Sequence, residues 1–413
     1  MKSISPKIIL TCMIAGCLEI YDFTLFGTLA PVIAKNYLQF ADAKTSLIIS
    51  YGVFAIGFLF RPIGALIFGY IGDKFGRKAS LVTSITIMGI SSLIFAMLPT
   101  YESIGIISCY IILLTRIMQG ISVGGEYSGS IIFAVEHTDP KYRGLAGSLV
   151  AAGCMSGVLL ATIVSNICTM ESMPSWGWRV AFLLGFIIAL IGFFIRIRLN
   201  ETPEFIKVKN IARSTSVPLL KGLRNSWPKF IATILLAATT GINLYIIVIY
   251  LPNYIKTLNL ESSLIKWLPT IATFVMALLH PLLGYLSDHM GRKRLLVTGS
   301  LMLASLAFPL IAVIHNGQVS LILGILILYT FIAVIYMGGM NTFAVEIFKP
   351  EERYSLSAFA YSLGMGVLGG SAPMIAASIT EYTNNNWYLG LYLFIGSLLG
   401  TVGILIIKYI SKE

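Results

Sequence analysis

Polar residues are sparse along this chain and recur at intervals. Between them lie runs of about 20 apolar residues, the length a helix needs to cross a hydrocarbon core about 30 Å thick. Twelve such runs are predicted, over 8–33, 45–72, 79–98, 104–134, 144–167, 178–197, 230–253, 264–287, 294–313, 319–345, 355–380 and 387–409. The expected class is an all-α integral membrane protein. Residues Met1 to Lys7 followed by an apolar stretch imitate a secretory signal. That stretch is too long, carries two acids and has no small-residue cleavage site, so it reads as the first span.

Composition agrees with this pattern. Of 413 residues, 57% are hydrophobic and only 11% charged, against roughly 25% charged in soluble chains. The cysteines (Cys12, Cys17, Cys109, Cys154, Cys168) follow no metal or disulfide spacing and read as small core residues. A net charge of +11 raises the question of nucleic acid, which the distribution of charge answers. With both termini cytoplasmic, only Lys35, Lys44, Arg179, Lys256 and Lys266 lie outside, and Arg61 and Arg116 lie inside spans, leaving 22 of the 29 Lys and Arg on the cytoplasmic side. This is the positive-inside bias of a membrane protein, and no nucleic-acid partner is needed to explain it.

Two motifs repeat. GYIGDKFGRK (69–78) recurs as GYLSDHMGRK (284–293), and FAVEHTDPKYR (133–143) as FAVEIFKPEER (343–353), in the same order at offsets of 215 and 210 residues. Such repetition indicates a duplicated six-span unit, as in many secondary transporters. The expected organisation is a six-helix bundle over 1–197, a cytoplasmic basic linker over 198–229 and a second six-helix bundle over 230–413. The basic linker suits either an anionic leaflet or plain solvent. In the first motif Gly72, Gly76 and Gly291 fit a tight turn or close packing. Asp73 and Asp288 are placed to satisfy N–H groups of a neighbouring helix, and Arg77, Lys78, Arg292 and Lys293 to lie at headgroups. With Gly69, Gly284, Glu136, Arg143, Glu346 and Arg353 they form either an anchored turn or a cytoplasmic latch that breaks when the halves rock.

The paired G-x-x-x-D-x-x-G-R-K loops resemble the signature of the major facilitator superfamily, a twelve-helix carrier fold. EIYDF (19–23), FRPIGA (60–65), RIMQGISVGGEYSG (116–129), the E-x-x-x-P-x-x-R-G of 136–144 and NETPEF (200–205) narrow the resemblance. Together they look like the metabolite:proton symporter family, which includes proline/betaine, 2-oxoglutarate, citrate and shikimate carriers; phagosomal amino-acid transporters look similar too. Ile20 stands where that family usually has tryptophan, and Ser128 where it has glycine. The osmosensing members carry a C-terminal coiled coil, which this sequence lacks, so osmotic activation is not expected.

A charge at the bilayer centre costs about 2.5 to 3.5 kcal/mol on insertion scales, which makes intramembrane charges functional candidates. Counting the helical rise places Asp22 roughly 21 Å from the cytoplasmic start of the first span and Arg116 roughly 18 Å from the outer start of the fourth, so the two can meet. Glu19 lies one turn below Asp22 on the same face. Arg61 and Glu126 fall in the cytoplasmic half, with Glu19 or Glu126 as the partner of Arg61. Asp22 and Arg116 form either a permanent ion pair or, with Glu19, a proton-coupling set. In the second reading, breaking the Arg116 contact changes how readily Asp22 holds a proton, and arginine remains a fixed counter-charge. Gln119 and Tyr127 lie nearby and line the pathway or simply bond between helices.

By the 210-residue offset, Arg116 corresponds to Leu326 and Glu126 to Tyr336, so proton coupling is assigned to the first half. The second half offers Asn243, Tyr245, Tyr250, Tyr329, Tyr336 and Asn341 for orienting a solute, the same residue types also serving as core or interface anchors. His280 reads as hydrogen-bonded core. No catalytic or metal-ligand arrangement is present, so no enzyme and no metal are expected. The expectation is a proton-driven symporter of a small zwitterion, such as proline, betaine or another amino acid. It is expected as a monomer in the bacterial inner membrane, in contact with lipid and with no cofactor beyond the proton gradient. An organic-acid symporter is the first alternative. A drug:proton antiporter is disfavoured because the fifth span, GSLVAAGCMSGVLL, lacks a proline, and a non-transporting sensor because the charged set is intact.

Overall fold

The computed structural model describes residues 6–39, 42–75, 77–124, 126–136, 138–197, 219–258, 263–383 and 385–410. Among these every regular element is helical. That follows from the sequence: in hydrocarbon only a helix satisfies the backbone polar groups of a single apolar segment. The chain runs through α1 (Pro6–Thr28), α2 (Ala30–Tyr37), α3 (Ala43–Leu59), α4 (Arg61–Phe75), α5 (Arg77–Met97), the single turn α6 (Tyr101–Ile104), α7 (Ile107–Val123), α8 (Glu126–Glu136), α9 (Arg143–Cys168) and α10 (Trp178–Ile197). It resumes with α11 (Leu219–Tyr245), α12 (Leu251–Thr257), α13 (Ser263–Met290), α14 (Arg292–Asn316), α15 (Val319–Glu346), α16 (Pro350–Tyr361), α17 (Ala372–Thr383) and α18 (Trp387–Ile410). Wider, π-helical turns occupy Ile246–Tyr250 and Ser362–Gly369.

By length and apolarity, nine helical stretches among the described residues suffice to cross a membrane, and Val82–Met97, Ile107–Val123 and Trp178–Phe194 are shorter apolar helices. Large apolar side chains such as Leu66, Ile107, Leu278, Leu282 and Leu405 point outward, forming a surface suited to lipid rather than water.

Several predicted runs are broken where the local sequence requires it. The first bends at Leu29, ahead of Pro31, and the second at Phe60, ahead of Pro62. A proline has no N–H to donate and favours the first helical turn. Residues 198–218 of the expected linker lie outside the described residues, and 219–229 belong to α11.

Glycine sets the closest helix contacts. A Cβ on Gly120 of α7 would run into the carbonyl oxygen of Gly57 on α3, and a Cβ on Gly284 of α13 would meet Ser148 and the carbonyl of Gly144 on α9. Small residues let backbones approach in a membrane, where packing rather than water exclusion holds helices together. The α9–α13 contact joins the first half of the chain to the second.

Candidate functional site

Helix α1 presents two faces to two different cavities. Ile20, Phe23 and Thr24 border a central cavity of about 40 Å³, completed by Phe54 and Phe58 of α3, Arg61 of α4, Cys154, Met155 and Val158 of α9, and Tyr245, Tyr361 and Met365 from the second half. A water molecule needs roughly 10–15 Å³ on such a measure, so this volume suits a few waters and must widen to admit an organic solute. On the adjacent face, Glu19 and Asp22 border a cavity of about 20 Å³ with Ser84, Ile85 and Met88 of α5, Ser122 of α7, and Ala189 and Arg196 of α10. At 3.6 residues per turn, 19 and 22 centre on one side of the helix and 20, 23 and 24 on the side next to it, with Glu19 and Phe23, four residues apart, at the border between them.

Asp22 is buried, and one carboxylate oxygen accepts a hydrogen bond from the Ser92 hydroxyl, while Oδ1 has no hydrogen-bond partner. It has room because α10 carries Gly185 opposite: a Cβ there would strike Oδ1. Arg116 is fully buried, and its Nη1 donates to Gln119 Oε1 at 2.6 Å. Its guanidinium lies 4.3 Å from the Phe23 ring centroid, 4.4 Å from Phe26 and 5.7 Å from Phe54, while Nε and Nη2 make no hydrogen bond. Asp22 and Arg116 are therefore close enough to feel one another, yet no direct ion pair joins them among the described residues. Arg61 stands over Phe58 and Phe23, at 5.5 and 5.9 Å.

Arg61 lines the central cavity and Glu19 the other one. Tyr245 lines the central cavity as well. Tyr250 instead bonds to Thr380 at 2.8 Å and faces the Tyr51 ring at 6.4 Å. Asn243, Tyr329 and Tyr336 line neither cavity. The Tyr329 hydroxyl donates to Asn243 Oδ1 at 2.5 Å, Asn243 donates to Thr239 O at 2.8 Å, and Tyr336 donates to Leu236 O at 2.9 Å. These groups tie helices of the second half together. Asn341 is buried on α15, and His280 is buried with Nδ1 bonded to Met276 O at 2.7 Å.

The halves are fastened at both ends. At one end Asp288 accepts N–H bonds from Gly144 at 2.7 Å and Leu145 at 3.0 Å, capping α9 from α13, and pairs with Arg292 at 2.8 Å. Arg292 also pairs with Glu346, Arg143 approaches Glu346 to 3.8 Å, and Arg353 pairs with Glu136 at 3.0 Å. Gly291 takes a φ of 89° at the turn, where a side chain would be strained. At the other end Lys44 pairs with Glu381 at 3.0 Å, Asn253 donates to Tyr51 at 3.0 Å, and Asn166 donates to Thr270 at 3.2 Å. Asp42 caps α3 there; bonds from the Thr45 side chain, then from backbone N–H groups, hold its carboxyl below the ordinary value.

Gly69 and Gly72 fall within α4. Gly76 lies outside the described residues, as do the side chains of Asp73, Arg77, Lys78, Glu126 and Tyr127. Sequence reasoning passed over Phe23, Phe54, Phe58, Ser92 and Arg196. Arg196 ends α10 and counts as a loop charge in any tally of topology, while the rings and serine carry no signal until their neighbours are known.

A sequence model of the Major Facilitator Superfamily matches residues 12–373. The proline/betaine transporter of Salmonella typhimurium is 30% identical over 411 residues, spanning 96% of this chain and 82% of that protein. The glycine betaine/proline/ectoine/pipecolic acid transporter OusA of Dickeya dadantii is 30% identical over 421 residues, spanning 98% and 84%. Among solved structures, the crystal structure of a D-xylose-proton symporter superposes with a TM-score of 0.75 at 20% identity, over 95% of this chain and 96% of that one. That last likeness is one of fold. The chain belongs to the Major Facilitator Superfamily, as a multi-pass membrane transporter rather than an enzyme, and is similar to proline/betaine transporters.

Proposed function

We propose that the chain is a proton-coupled symporter importing a small zwitterion, such as proline, betaine or another amino acid. In this reading the nine long and three shorter apolar helices are twelve spans in two six-helix bundles, 1–197 and 230–413, with both termini in the cytoplasm. The protein works as a monomer in a bacterial inner membrane, needs no cofactor and draws on the proton gradient. The contacts at the Asp288 end and at the Lys44 end open in turn as the halves rock.

The observation carrying the choice of solute is the central cavity, where one guanidinium, Arg61, faces a wall of Phe23, Phe54, Phe58 and Tyr245. A guanidinium fits a carboxylate, and aromatic faces attract ammonium groups by about 0.5 to 2 kcal/mol per contact. A zwitterion uses both, whereas a di- or tricarboxylate leaves charge unbalanced beside a single arginine. The relatives named for proline, betaine and ectoine support the same class. The test is uptake of labelled proline, glycine betaine, 2-oxoglutarate and citrate into proteoliposomes with and without an acidic exterior. Accumulation of proline or betaine driven by the pH gradient is expected; accumulation of the organic acids alone, or none driven by protons, overturns the proposal.

A further inference from the structure

The acid Asp22 and the solute cavity lie on adjacent faces of α1, so whatever couples them must bridge the edge between those faces. Phe23 borders the solute cavity and also contacts Arg116, whose charge acts on Asp22. Its ring borders the cavity, stands edge-on to Phe58 with centroids 4.3 Å apart, and lies 6.2 Å from the Phe54 ring. The same ring carries the Arg116 guanidinium at 4.3 Å and the cavity guanidinium of Arg61 at 5.9 Å.

Arg116 is a buried cation with one hydrogen bond and no ion pair among the described residues, so ring faces supply much of its compensation. Two arrangements are therefore open to it: guanidinium on the rings with Asp22 on Ser92, as seen, or guanidinium turned to Asp22 with an ionised carboxylate facing it. Gly57 makes room for the first arrangement and packs both groups against α3, since a Cβ there would stand 3.0 Å from both Arg116 Nη2 and Phe23 Cζ. Any shift of the Phe23 ring thus changes the balance between the two.

We infer that Phe23 is a positioning residue that transmits solute occupancy of the central cavity to the protonation of Asp22 through Arg116. The inference rests on the symport reading above. A solute carboxylate draws Arg61 away from the Phe23 and Phe58 rings, Phe23 then closes on Arg116, and Arg116 stays off Asp22. Asp22 holds one proton taken from the outer side and releases it to water on the cytoplasmic side when the solute leaves and Arg116 turns back. The charged and titratable groups around this set are Glu19 and Tyr21 on α1, Arg196 on α10, Cys154 and Cys168 on α9, and Arg61, Tyr245 and Tyr361 across the cavity. Phe26 serves as an internal comparison: it covers Arg116 at 4.4 Å but does not border the cavity.

Coupling between two ligands is reciprocal, so solute affinity must depend on pH if Asp22 and the cavity are linked. The experiment measures half-saturation of proline and glycine betaine exchange, without an imposed gradient, at acid and alkaline pH, together with gradient-driven accumulation. The parent protein is expected to bind solute about fivefold or more tightly at acid pH, within the usual range of such couplings. Phe23→Leu, which removes the ring face, is expected to weaken half-saturation at both pH values, because Phe23 also lines the solute wall, but to bring the acid-to-alkaline ratio close to one and to abolish accumulation. Phe23→Tyr is expected to restore both, and Phe26→Leu to keep a pH-dependent affinity. If Phe23→Leu fails to reach the membrane, Phe23→Met fills similar volume without a ring and is expected to behave the same way. Retention of the parental pH dependence by the ring-less variant, or equal flattening by Phe26→Leu, overturns the inference. A parent that shows no proton-driven accumulation overturns the symport reading instead.

Discussion

Removing the Asp288 carboxylate is expected to loosen one of the two fastened ends of the carrier. Its two oxygens hold the N–H groups of Gly144 and Leu145, which the first turn of α9 cannot satisfy internally, and its side chain is only 2% exposed. Hydrogen bonds to a charged group contribute about 1.5–3 kcal/mol each, so losing both in Asp288→Ala weakens this end by about 3–6 kcal/mol relative to the state in which it is open to water. Inverting a 99:1 equilibrium takes about 5.5 kcal/mol, so the loss is large enough to change which end is open. Asp288→Asn retains one acceptor and loses about half as much. Arg292 keeps Glu346 in either variant, which limits the damage to the cap. The readout is native Cys154, buried in the central cavity wall, with the other four cysteines replaced by serine. A membrane-impermeant maleimide applied from the Asp288 side is expected to label it about tenfold or more faster in Asp288→Ala, with Asp288→Asn intermediate. Labelling within twofold of the parent in both variants refutes the cap as an energetic lock.

Three further outcomes are expected. Asp22→Asn abolishes gradient-driven accumulation but leaves solute exchange, measured in the same proteoliposomes; persistence of accumulation removes Asp22 from the proton path. Gly120→Val forces a branched side chain against the Gly57 carbonyl, and overpacking of about 1–3 kcal/mol lowers the thermal midpoint in detergent. Asp42→Ala speeds amide hydrogen exchange at Lys44 and Thr45 near neutral pH, where the carboxylate is ionised. Because the folded carboxyl lies below its ordinary 3.8, the cap is present above that value and is lost as pH falls through the lower folded one, where the two proteins should converge.

The helices were legible because lipid allows an apolar segment almost no other form: the run expected at 294–313 is the core of Arg292–Asn316. The constant rise per residue let the sequence place Asp22 near Arg116, and their charges do act on one another. Azimuth was not legible. Whether Asp22 meets Arg116 or Ser92 depends on which neighbour each face of α1 meets, and Gly185 decides that from far along the chain. The same limit applies to Asn243 and Tyr329, polar residues that suggested a solute path but satisfy each other. Arg196 was hidden for another reason. Counting charges by side of the membrane assigns it to a loop, yet it is 8% exposed and borders the cavity of Glu19 and Asp22.

The two π-helical stretches each begin directly after a tyrosine of the central cavity, Tyr245 and Tyr361, and the second contains Met365 of the same wall. A π turn holds one residue more than the α turn it replaces, so each stretch resembles a single-residue insertion in a straight helix. Converting it to α geometry rotates everything beyond it by about 100° against everything before it. In most membrane helices deletion of one residue scrambles every contact downstream; within 246–250 and 362–369 it would instead straighten the helix and reset the cavity wall. Chain length within these two stretches is thus itself a variable on which the shape of the solute site depends.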